Sequence, residues 1–95
     1  LNVTIYSKHH CVQCTAQKRA LGNAGIEYTE TNVEDDPAAL DYVKSLGYQA
    51  APVVVYGARA DNEYIEFGHW SGFNPDRTKQ LREAINQEGN PDAYV

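Results

Sequence analysis

Ninety-five residues are enough for one domain with a single modest core, and too few for two. A hydrophobic content of 42% against 22% charged residues excludes a disordered chain, and no apolar run approaches the roughly 20 residues that span a bilayer. The net charge of −5 argues against a nucleic-acid partner, because attraction to phosphate dominates such binding.

The predicted elements run as follows. Asn2 to Tyr6 is a first strand with Val3 and Ile5 on one face, and Ser7-Lys8-His9-His10 is a loop. A helix begins near Cys11, where Ala16, Ala20 and Ala24 recur at a spacing that lets them pack closely on a sheet, and Gly25 stops it. Ile26 to Val33 reads as a second strand. Asp36 then offers a capping acceptor, with Pro37 at the first helical position, and Leu40, Val43 and Leu46 form the inner stripe up to Gly47. Pro52-Val53-Val54-Val55-Tyr56 is apolar enough for a strand covered on both faces. Gly57 to Asn62 is turn-like, and Tyr64-Ile65-Glu66-Phe67 alternates as a fourth strand paired to the third. Asn74-Pro75-Asp76 caps a last helix with Leu81, Ala84 and Ile85 inward and Gly89 at its end.

This β-α-β-α-β-β-α order predicts an α/β fold: a four-stranded mixed sheet, its first two strands parallel, covered by three helices on both faces. Residues 1–89 form the domain and 90–95 a flexible tail. Glu30, Glu34, Asp35, Asp36 and Asp41 gather into a solvated acidic face. Leu1-Asn2-Val3-Thr4 lacks the basic and apolar segments of an export signal, which predicts a cytoplasmic protein.

The chemistry is concentrated at Cys11-Val12-Gln13-Cys14, which holds both cysteines of the chain. Two thiols cannot staple a scaffold of this size, whereas a strand, a C-x-x-C and a helix in succession form a thioredoxin-like redox motif. Unpaired amides at the helix start and the helix dipole favour a thiolate at Cys11, and Lys8 adds positive charge. Cys14, one turn on, faces the core and stays a thiol until it resolves the mixed disulfide made by Cys11. An inert structural pair is the competing assignment, set aside because the site lies at a polar loop tip.

A zinc site is not expected. C-x-x-C supplies two of the four ligands a structural site needs, His9 and His10 adjoin Cys11 too closely to join them, and His69 has no partner at ligand spacing. No other cofactor is expected beyond a redox-active Cys11–Cys14 disulfide.

Two further segments bear on the site. Pro52 cannot donate to a strand ladder; a cis Ala51–Pro52 bond would turn the Ala51 backbone toward the dithiol, where an extended partner segment could pair with it. Local preference alone favours trans. Trp70-Ser71-Gly72-Phe73 reads first as a core aromatic and a turn, and second as an element beside the dithiol that limits what binds there.

Taken together, Tyr6-Ser7-Lys8, Cys11-Val12-Gln13-Cys14, Leu46-Gly47-Tyr48, Ala51-Pro52-Val53-Val54-Val55 and Trp70-Ser71-Gly72-Phe73-Asn74-Pro75-Asp76 resemble the NrdH-type redoxins, glutaredoxin-like electron donors of ribonucleotide reductase. That resemblance implies a thioredoxin fold, cis at Pro52, Cys11 as nucleophile and Cys14 as resolving thiol. It implies a dithiol–disulfide oxidoreductase that reduces the large subunit of ribonucleotide reductase and is itself re-reduced by NADPH-dependent thioredoxin reductase; the chain is expected to be a monomer. Lys8, Val12 and Gln13 would support the pair, and Ala51, Pro52, Trp70, Ser71, Gly72 and Phe73 would meet the partner.

Two alternatives stand beside it. A glutathione-dependent glutaredoxin would carry a Gly-Gly stretch where Trp70-Ser71-Gly72-Phe73 stands. A redox-switch regulator of the Spx and arsenate-reductase-like kind would carry a helical insertion between Val33 and Pro52, and none is present. Two features depart from the family pattern: Asn74 stands where arginine is common, and the Gly57–Gly68 connection is long.

Overall fold

The computed structural model describes residues 1–88 and contains β1 (Asn2–Ser7), α1 (Val12–Asn23), β2 (Thr29–Asn32), α2 (Pro37–Ser45), β3 (Val53–Ala60), β4 (Glu63–Ser71) and α3 (Pro75–Glu88). The element order is the expected one; Gly89 and the 90–95 tail lie outside the described residues. The sheet runs β2-β1-β3-β4, with β1 parallel to β2 and the β1–β3 and β3–β4 pairs antiparallel.

Alternation along the two central strands sends side chains into two cores. Val3, Ile5 and Val54 pack with Leu21 of α1 and Leu81 of α3 on one face, joined by Ile26 and Trp70. Val53 and Val55 pack with Val43 of α2 on the other, together with Tyr6, Tyr42, Leu46 and Tyr48. The apolar run of β3 is thus covered on both sides, as its composition required.

Asp36 caps α2 as expected, its Oδ1 accepting from the Ala39 amide at 3.2 Å with Pro37 at the first helical position. At the entry to α3, Asn74 Oδ1 accepts from the Arg77 amide at 2.9 Å.

Four details differ from the sequence expectation. The ladder of β2 begins at Thr29, because Ile26 belongs to the exit of α1: its amide donates to the Leu21 carbonyl after Gly25 turns at φ 72°. Along α1 the alanines at 16, 20 and 24 are only half-buried, and the inner stripe is Cys14, Gln17 and Leu21. Ala84 faces outward, one position off the Leu81–Ile85 line. The largest difference is the hairpin. Residues 57–60 continue β3 instead of turning, and the reversal is the Asp61–Asn62 pair, both at positive φ (52° and 70°), as a tight hairpin turn demands.

That long hairpin carries a bulge at Tyr56/Gly57, where the register slips by one residue. Gly57 and Gly68 serve it by close approach: a Cβ on Gly57 would strike the Ile65 carbonyl, and one on Gly68 the Tyr56 ring. Beyond the bulge Tyr64, Ile65 and Phe67 are exposed, so the alternation of that strand does not sort inside from outside.

Candidate active site

The loop leaving β1 passes through His10 in the left-handed region (φ 54°) and delivers Cys11 to the N-cap of α1 in extended conformation. Cys11 Sγ accepts from the Cys14 amide at 3.1 Å, so one otherwise unpaired helix N–H is aimed at the sulfur. Cys11 and Cys14 are joined as a disulfide across a Cα–Cα separation of 5.2 Å. The two sulfurs are unequal in access. Cys14 is 2% exposed and lies on the inner stripe of α1, while Cys11 is half-buried beside Val12, which is 85% exposed.

Lys8 is exposed and lines, with Ala51, Tyr48 and Lys44, a groove of about 220 Å³ running from the dithiol loop over Val33, Leu40, Val43 and Val53. His9 is occupied elsewhere: its amide donates to Glu34 and its ring lies 3.4 Å from Asp35. Among the described residues, no group of three or more His, Cys, Asp or Glu side chains is placed to hold a metal ion. No described helix is long and apolar enough to cross a membrane.

The Ala51–Pro52 bond is cis, which overturns the local preference for trans. The Ala51 carbonyl oxygen lies 3.9 Å from Cys11 Sγ. Pro52 is held from the far side, its carbonyl accepting from the Gly72 amide at 2.8 Å, while Ser71 Oγ donates to the Ala50 carbonyl at 3.1 Å.

Trp70 takes the first role read for it, a core aromatic. Its ring is buried in the α1/α3 core, tilted against Tyr56, with the Arg77 guanidinium 5.4 Å from the ring centre. It also opens the corner between β4 and α3, where Gly72 takes φ 82° and the Phe73 amide donates to Gln13 Oε1 at 3.3 Å. Gln13, Ala51, Pro52 and residues 71–73 are thus linked to one another and to Cys11, Lys8 lines the neighbouring groove with Ala51, Trp70 lies inside the core, and Phe73 and Val12 present exposed apolar surface.

Sequence reasoning missed Gln17. Its side chain is 0% exposed, accepts from Trp70 Nε1 at 3.2 Å and from the Asn74 amide at 3.0 Å, and donates to Thr78 Oγ1 at 2.7 Å. The signal was present: Gln17 follows Cys14 by three residues and precedes Leu21 by four, the spacing of one helix face.

Away from the sulfurs, burial raises the Tyr42 hydroxyl to about 12 and pushes Tyr6 and Tyr64 upward, helped by nearby acidic and phenolic groups. All three remain protonated at neutral pH. Glu30 is held below its ordinary range, first by the Ser7 hydroxyl and then by Lys18.

A central sheet with a cis-proline loop facing a helix-capping C-x-x-C defines a thioredoxin-fold dithiol–disulfide protein. The glutaredoxin family profile matches residues 3–60. The glutaredoxin-like protein NrdH of Escherichia coli (strain K12) is 36% identical over 84 residues, covering 88% of this chain and 93% of the relative. NrdH of Lactococcus lactis subsp. cremoris (strain MG1363) is 33% identical over 79 residues, 83% of this chain and 97% of that one. The solved NrdH-redoxin from Escherichia coli matches at a TM-score of 0.73 and 36% identity, over 85% of this chain and 95% of its own. The chain belongs to the glutaredoxin family of thiol–disulfide oxidoreductases, as an NrdH-like redoxin.

Proposed function

We propose that this protein carries two electrons from NADPH-dependent thioredoxin reductase to a protein disulfide, that of the large subunit of ribonucleotide reductase. The observation that carries the proposal is the inequality of the two sulfurs: Cys11 capped by the Cys14 amide, accessible and 3.9 Å from the Ala51 carbonyl, and Cys14 buried behind it.

In the reduced protein the Cys11 thiolate attacks one sulfur of the partner disulfide. A mixed disulfide forms and the partner's other sulfur leaves as a thiolate. Cys14 then gives up its proton and displaces the partner from Cys11, which leaves the partner a dithiol and this protein a Cys11–Cys14 disulfide. The extended partner segment pairs with the Ala51 backbone ahead of Pro52, between Val12 on one side and residues 70–73 on the other.

The choice of electron source rests on the corner after β4. Trp70-Ser71-Gly72-Phe73 occupies it in place of Gly-Gly, and the Phe73 amide is already taken by Gln13. The solved Escherichia coli relative is described as having a thioredoxin-like activity profile, which supports the same source.

Two reconstituted assays test the proposal, one with NADPH and thioredoxin reductase, the other with glutathione and its reductase. Turnover of a protein disulfide in the first is expected; turnover only in the second overturns it. A Cys14→Ser variant, which cannot resolve, is expected to retain ribonucleotide reductase as a mixed disulfide through Cys11.

A further inference from the structure

We infer that Gln17 is a positioning residue for the exchange reaction: its buried amide sets the spacing between the Cys11 sulfur and the cis-proline backbone on which a partner docks. The inference rests on the proposed reduction of protein disulfides and adds a residue to it.

The side chain sits on the same face of α1 as Cys14, one turn further in. Its oxygen takes the indole N–H of Trp70, at the entry of the corner, and the amide of Asn74, at its exit. Its nitrogen donates to Thr78 Oγ1, and that hydroxyl donates on to the Asn74 carbonyl at 2.8 Å. Both peptide groups flanking Asn74 are therefore tied to one amide.

Gln13, four residues earlier on α1, takes the Phe73 amide between those anchors. The other side of the corner holds Pro52 through the Gly72 amide and Ala50 through Ser71. Residues 71–74 thus bridge the dithiol helix to the proline loop, and Gln17 fixes the bridge at its helix end.

No buried side-chain nitrogen or oxygen among the described residues lacks a partner. Removing the Gln17 amide would leave the buried Trp70 N–H, a lone pair of buried Thr78 and the half-buried Asn74 N–H without their partner, so the corner must shift to find substitutes. The Cys14 amide, which supports the Cys11 thiolate, takes no part in these bonds. Partner docking and thiolate formation should therefore separate when Gln17 is changed.

Gln17→Met keeps the volume and removes every polar contact. Wild type and variant are compared with dithiothreitol as reductant, following insulin reduction, reduction of a small aromatic disulfide, and the pH profile of Cys11 alkylation. The expected result is a roughly tenfold rise in KM for insulin with kcat, the small-disulfide rate and the alkylation midpoint unchanged. An unchanged KM in a variant of lowered Tm makes Gln17 merely structural and overturns the inference. So does an equal loss toward insulin and the small disulfide, which would place its effect on the dithiol itself. If Gln17→Met does not fold, Thr78→Val cuts the same chain from the far side and should raise KM about threefold; no rise overturns the inference. Wild-type protein inert toward insulin would instead sink the underlying proposal, since that arm contains no change at Gln17.

Discussion

At Cys11 a single backbone N–H is aimed at the sulfur. The Cys14 amide reaches the sulfur at 3.1 Å from within the first turn of α1, and a backbone donor cannot be removed by changing the Cys14 side chain. Rapid iodoacetamide alkylation followed against pH should show a midpoint below the ordinary thiol value of about 8.5, and Cys14→Ser should keep it low. A midpoint near the ordinary value in both proteins would remove the basis for Cys11 as nucleophile. A second residue-scale prediction concerns Ser7, which is buried and donates to Glu30 Oε2 at 2.7 Å, with Lys18 at 3.0 Å from the same oxygen. Because the folded Glu30 carboxyl lies below its ordinary 4.5, the unfolded chain binds the proton first as pH falls. Its contribution is fully present above that value and is lost as the pH drops through the folded pKa. Ser7→Ala should cost about 1 kcal/mol near neutrality, kept small because Glu30 is well exposed to solvent. It should also flatten the acid limb of stability in urea titrations between pH 6 and 3. An unchanged limb would show that the hydroxyl does not hold the carboxylate.

The hairpin is the element on which sequence and structure part most. Gly57→Ala should cost about 2–3 kcal/mol in chemical denaturation, because the new Cβ meets the Ile65 carbonyl, a backbone atom that cannot swing away. A neutral substitution would mean that the bulge does not hold the strands at this separation. Glycine at 57 reads from sequence as a turn, and its real task, close passage of two strands, leaves no different mark in the chain. The outer half of β4 was legible as a strand paired to β3, but not in its sidedness: its faces are both wet, so alternation carries no information about inside and outside. By contrast α2 announced itself through Asp36-Pro37, and β3 through an unbroken run of valines, because a cap and a two-sided burial each have their own local chemistry. The dithiol was legible for the same reason, being two reactive side chains at fixed spacing on a helix start. Gln17 left only its place on the Cys14–Leu21 face of α1 as a signal, since glutamine on a helix is ordinarily a surface residue and its three partners lie 53 to 61 residues away. Residues close in the chain announce themselves; a site closed by distant ones appears only once the chain has folded.

Across the whole molecule the sheet divides two cores with different neighbours. The face under α1 and α3 holds Leu21, Trp70 and, through Gln17, the corner beside the dithiol; the face under α2 holds Val43, Val53 and Val55. Neighbouring valines on β3 let the two faces be compared with the same atoms removed. Val54 is 0% exposed and stands across from Trp70 in the ladder, whereas Val55 is 1% exposed, stands across from His69 and points the other way. Each Val→Ala change deletes two methyl groups from a closed interior, worth about 0.8 kcal/mol apiece before the cavity is counted, so each should cost about 2–3 kcal/mol. Equal cost should not mean equal consequence. The Val54→Ala cavity opens beneath Trp70 and loosens the support of residues 70–74. The Val55→Ala cavity opens toward α2, away from the groups that hold that corner. Insulin reduction measured well below either melting temperature should therefore fall several-fold in Val54→Ala through KM and stay near wild type in Val55→Ala. Matched losses in the two proteins would show that activity follows global stability, and that the α1/α3 core has no special hold on the partner-docking corner.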